Sequence, residues 1–195
     1  MIQKIKQDLE RRYRLHEHRL DHVLGVAQTA MDLGEREGLE SEKLLIAALL
    51  HDITKYEDKE FHQKKIKQYF TDSDEIFSQY SEKLWHTFSA YAYAIEEYNI
   101  EDSDILEAIL YHAVGAPAMN PYAEIIFLSD YIEPNRTYAS CVRVRKIAED
   151  SILQAIYEAM NDTIVYHQQE GESIPEIALQ ARAYYHKKLE ELWKN

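Results

Sequence analysis

The chain has 195 residues, which suits one domain, and its 46% hydrophobic and 29% charged residues are ordinary for a soluble globular protein. A formal net charge of −13 disfavours general affinity for nucleic acid or anionic membrane, and makes any phosphate site here depend on local cations. Five glycines and four prolines are too few for an all-β chain, the lone Cys141 excludes an intrachain disulfide, and the absence of an apolar signal core or membrane-length run predicts a cytoplasmic protein.

The predicted elements are helices throughout. Val23, Val26, Ala27, Ala30 and Leu33 recur at helical spacing, with Gly34 and Gly38 marking the end of that element. Ser41 is the expected N-cap of an apolar helix, Leu44 to Leu50, that runs into His51-Asp52. Residues 60–80 are polar and aromatic with weak periodicity, and read as short helices or a covering loop. Helices are expected from about Glu82 to Tyr98 and from Ser103 to His112. Gly115, Pro117 and Pro121 break the chain before Ala123–Tyr131, and Pro134 ends that segment. One long helix is predicted from near Tyr138 towards His167. Ser173-Ile174-Pro175-Glu176 resembles a capping box with proline in the first turn, opening the last helix. No repeat or linker interrupts this pattern. The expectation is a single all-α domain over residues 1–195, with a motif-bearing core at about 19–145 and C-terminal helices over 146–195. Fifteen tyrosines fit core edges and helix contacts, with one or two available to stack on a nucleobase.

The chemistry concentrates at His51-Asp52. Adjacent side chains on a helix diverge by about 100°, but at a helix end they can converge on one ion. Imidazole plus carboxylate suits Zn, Mn or Fe. A lone His-Asp pair is weak evidence; the context strengthens it. His22 lies beside the first apolar stripe, Asp130 ends the run Ile125-Ile126-Phe127-Leu128-Ser129, His86 follows Leu84-Trp85, and His112 follows Ile109-Leu110-Tyr111. One such histidine is more often a satisfied core residue. Four histidines and two aspartates in apolar settings point to a metal that satisfies them.

The order His22, His51-Asp52, Asp130 resembles the HD superfamily of phosphohydrolases, and the interposed His86 and His112 resemble its two-metal branch. The segments His51-Asp52-Ile53-Thr54-Lys55, Leu84-Trp85-His86, Tyr111-His112-Ala113-Val114-Gly115 and Asp130-Tyr131-Ile132-Glu133-Pro134-Asn135-Arg136 are similar to the bacterial HD-domain symmetrical diadenosine tetraphosphate hydrolases, the YqeK family. That resemblance implies an HD helical bundle with a dinuclear metal site, iron in the metal pair (with Mn, Zn or Co as alternatives), and hydrolysis of diadenosine tetraphosphate to two ADP.

The expected mechanism makes Asp52 the bridging ligand, with His22, His51 and Asp130 on one ion and His86 and His112 on the other. Two ions about 3.5–4 Å apart can share a hydroxide and clamp a phosphoryl group. Lys55 and Arg136 are expected to bind outer phosphates and assist catalysis, with Glu133 also contacting substrate. Arg143, Arg145 and Lys146 read as a solvated basic face. His16, His18, His62, His167 and His186 read as surface or structural, though His62 could approach the site. The expected partner is a small nucleotide, not nucleic acid or membrane, and a homodimer is left open. Two alternatives stand: another HD phosphohydrolase acting on a nucleoside mono- or triphosphate or a cyclic nucleotide, and a non-catalytic nucleotide-sensing module. The full set of six ligands disfavours the second.

Overall fold

The computed structural model describes residues 1–194, without the side chain of Trp193, and it is all-α among those residues. The helices are α1 (Ile2–Arg12), α2 (Glu17–Arg36), α3 (Ser41–Leu50), α4 (Lys59–Tyr69), α5 (Ser73–Gln79), α6 (Trp85–Tyr98), α7 (Ser103–Tyr111), α8 (Pro121–Ile132), α9 (Ala139–Asp150), α10 (Ile152–Gln169) and α11 (Glu176–Trp193), with a 3-10 turn at Glu82–Leu84 before α6.

Helix α3 is the centre of the bundle. Leu44, Ile46, Ala47, Ala48, Leu49 and Leu50 are all buried, so nearly every face meets protein, as expected of a helix that is hydrophobic all round. It packs against α1, α2, α7 and α8. Its C-terminal end therefore delivers His51 and Asp52 into the middle of the molecule. Around it, Val23, Val26 and Ala30 of α2, Ile109 of α7, and Ile125 and Ile126 of α8 complete one continuous core. Each of these valines and isoleucines contributes about 1.5–3 kcal/mol through burial.

Several boundaries differ from expectation, for local reasons. Helix α2 continues through Gly34 to Arg36, and the left-handed turn falls at Gly38, with φ of 69°. Ser41 is already inside α3; Glu40 occupies the N-cap position without a side-chain cap. Helix α8 starts at Pro121, two residues earlier than expected, because Asn120 accepts a hydrogen bond from the Ala123 amide and proline suits the first helical position. The long helix predicted from Tyr138 to His167 is two helices. Ser151 is extended, with φ of −150°, and its hydroxyl caps the Gln154 amide, so the backbone stops and restarts there. Pro175 is the N-cap of α11 rather than a first-turn residue, and no side chain caps that end.

Residues 60–80 form the short helices α4 and α5. With α6 they close a smaller cluster around Ile66, Ile76, Trp85 and Phe88. Among the described residues no helix is long and apolar enough to cross a membrane.

Candidate metal centre

The six expected ligands converge. His51 follows the last residue of α3, where the backbone turns: the amides of Ile53 and Lys55 donate to the carbonyls of Leu50 and Asp52. His112 follows the last residue of α7, His86 opens α6, His22 lies on α2, and Asp130 is near the end of α8. His51, Asp52, His86 and His112 are at most 3% exposed, and His22 is 8% exposed.

The orientation of the imidazoles is fixed from behind. Nδ1 of His51 lies 2.6 Å from the Ala48 carbonyl, Nδ1 of His86 lies 2.8 Å from the Lys83 carbonyl, and Nδ1 of His112 lies 2.7 Å from the Ile109 carbonyl. A carbonyl oxygen only accepts, so each Nδ1 carries the proton and each Nε2 presents a lone pair. His22 receives the same support from a carboxylate, with Nδ1 3.1 Å from Glu133 Oε1.

These lone pairs face carboxylate oxygens. Asp52 Oδ1 lies 3.1 Å from His86 Nε2 and 3.5 Å from His112 Nε2. Asp52 Oδ2 lies 3.6 Å from His51 Nε2 and 4.0 Å from His22 Nε2. Asp130 Oδ1 is 2.9 Å from His22 Nε2. Acceptors this close repel one another unless positive charge lies among them. Among the described residues Asp52 Oδ1 and His51 Nε2 are buried without a hydrogen-bond partner, which would otherwise be costly. The donor set thus fits cations, and it does so in two overlapping groups, His22-His51-Asp130 and His51-Asp52-His112.

The protonation states agree. Burial pushes the His86 imidazole down to about 4, and it also lowers His51, so both stay neutral. Burial opposes ionisation of Asp52, but Lys55, His51 and His112 outweigh it and hold the carboxyl well below the usual range. At Asp130 burial is likewise outweighed, here by Arg136 and His22. His22 is raised: burial works against its protonation, yet Asp130, Asp52 and Glu133 together prevail.

Positive side chains surround the centre. Lys55 Nζ lies 3.0 Å from His86 Nε2 and 3.8 Å from Asp52 Oδ1. Arg136 donates to Asp130 Oδ1 at 2.9 Å. Both were expected near the site from sequence. Glu133 was expected to touch substrate but is 1% exposed and sits behind His22. The physical reason is the turn after α8. Asn135 N donates to Glu133 Oε2, and Arg145 donates to the carbonyls of Ile132, Glu133 and Arg136, folding the carboxylate inward. Gly25 permits this approach, since a Cβ there would lie 2.5 Å from Glu133 Oε2. Arg145 is thereby a turn clamp rather than part of a solvated face.

Sequence reasoning missed Arg19, which donates to Asp52 Oδ2 at 2.7 Å, and Tyr13, whose hydroxyl donates to the Asp52 carbonyl. His62 is buried, with Nδ1 2.8 Å from Ser89 Oγ. Ser89 and Thr54 in turn donate to the His86 carbonyl, so His62 supports the helix that carries His86.

Comparison with known proteins agrees with this geometry. The HD domain family model matches residues 19–135. The chain is 38% identical over 152 residues to the symmetrical bis(5'-nucleosyl)-tetraphosphatase of Halalkalibacterium halodurans, covering 78% of this chain and 80% of that protein. It is 37% identical over 158 residues to the Bacillus subtilis protein of the same name, covering 78% and 81%. A crystal structure described as a predicted HD superfamily hydrolase involved in NAD metabolism, from Clostridium acetobutylicum, superposes with a TM-score of 0.87 at 28% identity, covering 96% of this chain and 98% of that one. With the family model spanning more than half its length and His and Asp side chains gathered into candidate metal-binding groups, the chain belongs to the HD-domain superfamily of metal-dependent phosphohydrolases, close to its symmetrical diadenosine tetraphosphate hydrolases.

Proposed function

We propose that this protein hydrolyses diadenosine tetraphosphate symmetrically to two ADP at a pair of metal ions bridged by Asp52. The observation that carries the reading is the division of labour at Asp52: Oδ1 faces His86 and His112, whereas Oδ2 faces His51 and His22. His22, His51, Asp130 and Asp52 Oδ2 would hold one ion; His86, His112 and Asp52 Oδ1 would hold the other. The ions supply positive charge to a phosphoryl group and acidify water. The mixed imidazole and carboxylate set suits iron, which the family resemblance favours, and also Mn, Zn or Co.

The chain's own residues supply the rest. Arg136 and Lys55 are partly exposed cations beside the centre, and they are placed to neutralise phosphate oxygens. Arg19 covers the outer side of Asp52 Oδ2 and fixes the carboxylate plane. In the overall reaction water adds to one of the two central phosphorus atoms. The bond from that phosphorus to the central bridging oxygen breaks, and the departing oxygen becomes the terminal phosphate oxygen of the other ADP. The substrate assignment rests on the names of the relatives together with this centre.

The test is hydrolysis in heavy-oxygen water with products separated by chromatography. ADP should be the sole nucleotide product, with one label on a terminal phosphate of one ADP. ATP plus AMP would refute the symmetric cut.

A further inference from the structure

The centre opens on two sides that differ chemically. One cleft, of about 570 Å³, is lined by His112, Asp130 and Arg136 and by Tyr131, Tyr138 and Tyr166. The other, of about 460 Å³, is lined by His86 and Lys55 together with Lys59, Lys83, Glu57 and Glu82, and among the described residues no phenyl, phenol or indole ring lines its wall. The clefts converge on one pair of ligands, because His86 Nε2 and His112 Nε2 are 3.3 Å apart.

The tyrosines of the first cleft are not equivalent. Tyr131 is partly buried, and its hydroxyl donates to Asp162. Tyr138 is 72% exposed and Tyr166 is 59% exposed. Tyr138 has no ring contact or side-chain hydrogen bond among the described residues, and Tyr166 meets only the edge of His167. These two rings do nothing for the core, yet they line a cleft that ends at Asp130 and Arg136. In the second cleft Lys59 pairs with Glu82, and Lys83 pairs with Glu172. That leaves Lys55 as the lysine directed at the centre.

We propose that this site, resting on the dinucleotide reading above, recognises only one of the two bases of its symmetric substrate. Tyr138 and Tyr166 stack one nucleobase in the aromatic cleft; the lysine cleft holds the other half through its phosphates alone. A purine face supplies stacking that is tolerant of base identity, whereas an ammonium group reads charge and not base. The second nucleoside is then replaceable, and a nucleotide with a single base at one end of a tetraphosphate meets nearly all the recognition the site offers.

The direct test is calorimetric titration of the metal-loaded protein with ADP and, separately, with pyrophosphate. The double variant Tyr138→Ala, Tyr166→Ala should bind ADP roughly tenfold more weakly while binding pyrophosphate as the wild type does. The corresponding double phenylalanine variant should recover ADP binding, because the ring face is what stacks. Unchanged ADP affinity, or parallel weakening of both ligands, overturns the base site. This arm needs no turnover. If diadenosine tetraphosphate proves not to be a substrate, the proposed function falls while the titration still decides the role of the tyrosines. The asymmetry is read by comparing the KM of diadenosine tetraphosphate with the KM, or inhibition constant, of adenosine 5′-tetraphosphate. Values within about threefold are expected. A tenfold advantage for the second nucleoside would show that both clefts read a base.

Discussion

Two buried carboxylate clusters, around Asp8 and around Asp52, have opposite construction. On one side, Asp8 of α1 is 8% exposed and accepts hydrogen bonds from Arg11, Arg12, Tyr93 and Tyr98. Its oxygens are supplied with donors, and Arg12 extends the network to Glu57. On the other side, Asp52 and Asp130 face imidazole lone pairs, and among the described residues Asp52 Oδ1 has no hydrogen-bond partner. Both clusters bury carboxylates. The Asp8 cluster is complete with protein alone, so it fastens α1 to α6; the Asp52 cluster is left for cations to complete, which makes it a candidate metal-binding site. The contrast separates a structural charge from a functional one by who satisfies it.

The largest effect should come from breaking the bridge. Asp52→Ala removes the carboxylate that would bridge the two proposed ions, and should lower kcat/KM by at least about a thousandfold while metal falls at both positions, measured by elemental analysis beside initial rates. Arg136→Ala should keep metals and fold but lose about 2–4 kcal/mol of transition-state stabilisation, the usual loss for one preorganised donor. Arg136→Lys should restore only part of it, since lysine lacks the bidentate fork; near wild-type kcat/KM in the alanine variant would make Arg136 a surface charge.

Smaller changes separate the two clusters further. Glu133→Ala leaves every ligand present but frees His22 Nδ1, and should weaken metal binding by roughly tenfold to a hundredfold. An unchanged metal affinity would mean that the packing of α2 alone orients His22. Asp8→Asn should do the reverse: it should lower unfolding free energy by about 1–3 kcal/mol in denaturant melts, with metal stoichiometry intact. The pH dependence follows the same division. The folded pKa of Asp8 is depressed, because its donors outweigh burial. Its stabilisation is therefore present above the unfolded carboxylate pKa and lost as pH falls through the folded value. Metal loss should precede this on acidification. The raised pKa of His22 means protons compete for its Nε2 at a higher pH than for an ordinary imidazole, while the lowered His51 and His86 resist until more acid. Metal retention at pH 5 equal to that at pH 8 would contradict that order.

Much of this centre was legible in sequence because its ligands end or interrupt apolar helices. Leu44 to Leu50 requires burial, so the polar pair that follows it is conspicuous; the same holds for His112 after Ile109-Leu110 and Asp130 after Phe127-Leu128. Arg19 has no such flag. It lies among polar residues, and its partner is 33 positions away, so only folding reveals the pair. Glu133 misled for a related reason. Pro134 does turn the chain, but Arg145 and the close approach allowed at Gly25 decide that the carboxylate turns inward. The break at Ser151 was hidden because apolar periodicity runs on across it, and only the serine cap marks the new start.

Two ions sharing Asp52 are the core of the proposed mechanism. Elemental analysis of the purified protein and of His86→Ala, per chain, measures this most directly. Close to two transition-metal ions in the wild type and close to one in His86→Ala, with the remaining ion held by His22, His51, Asp52 and Asp130, is the predicted result. A wild type that binds a single ion, or a variant that keeps both, would contradict it.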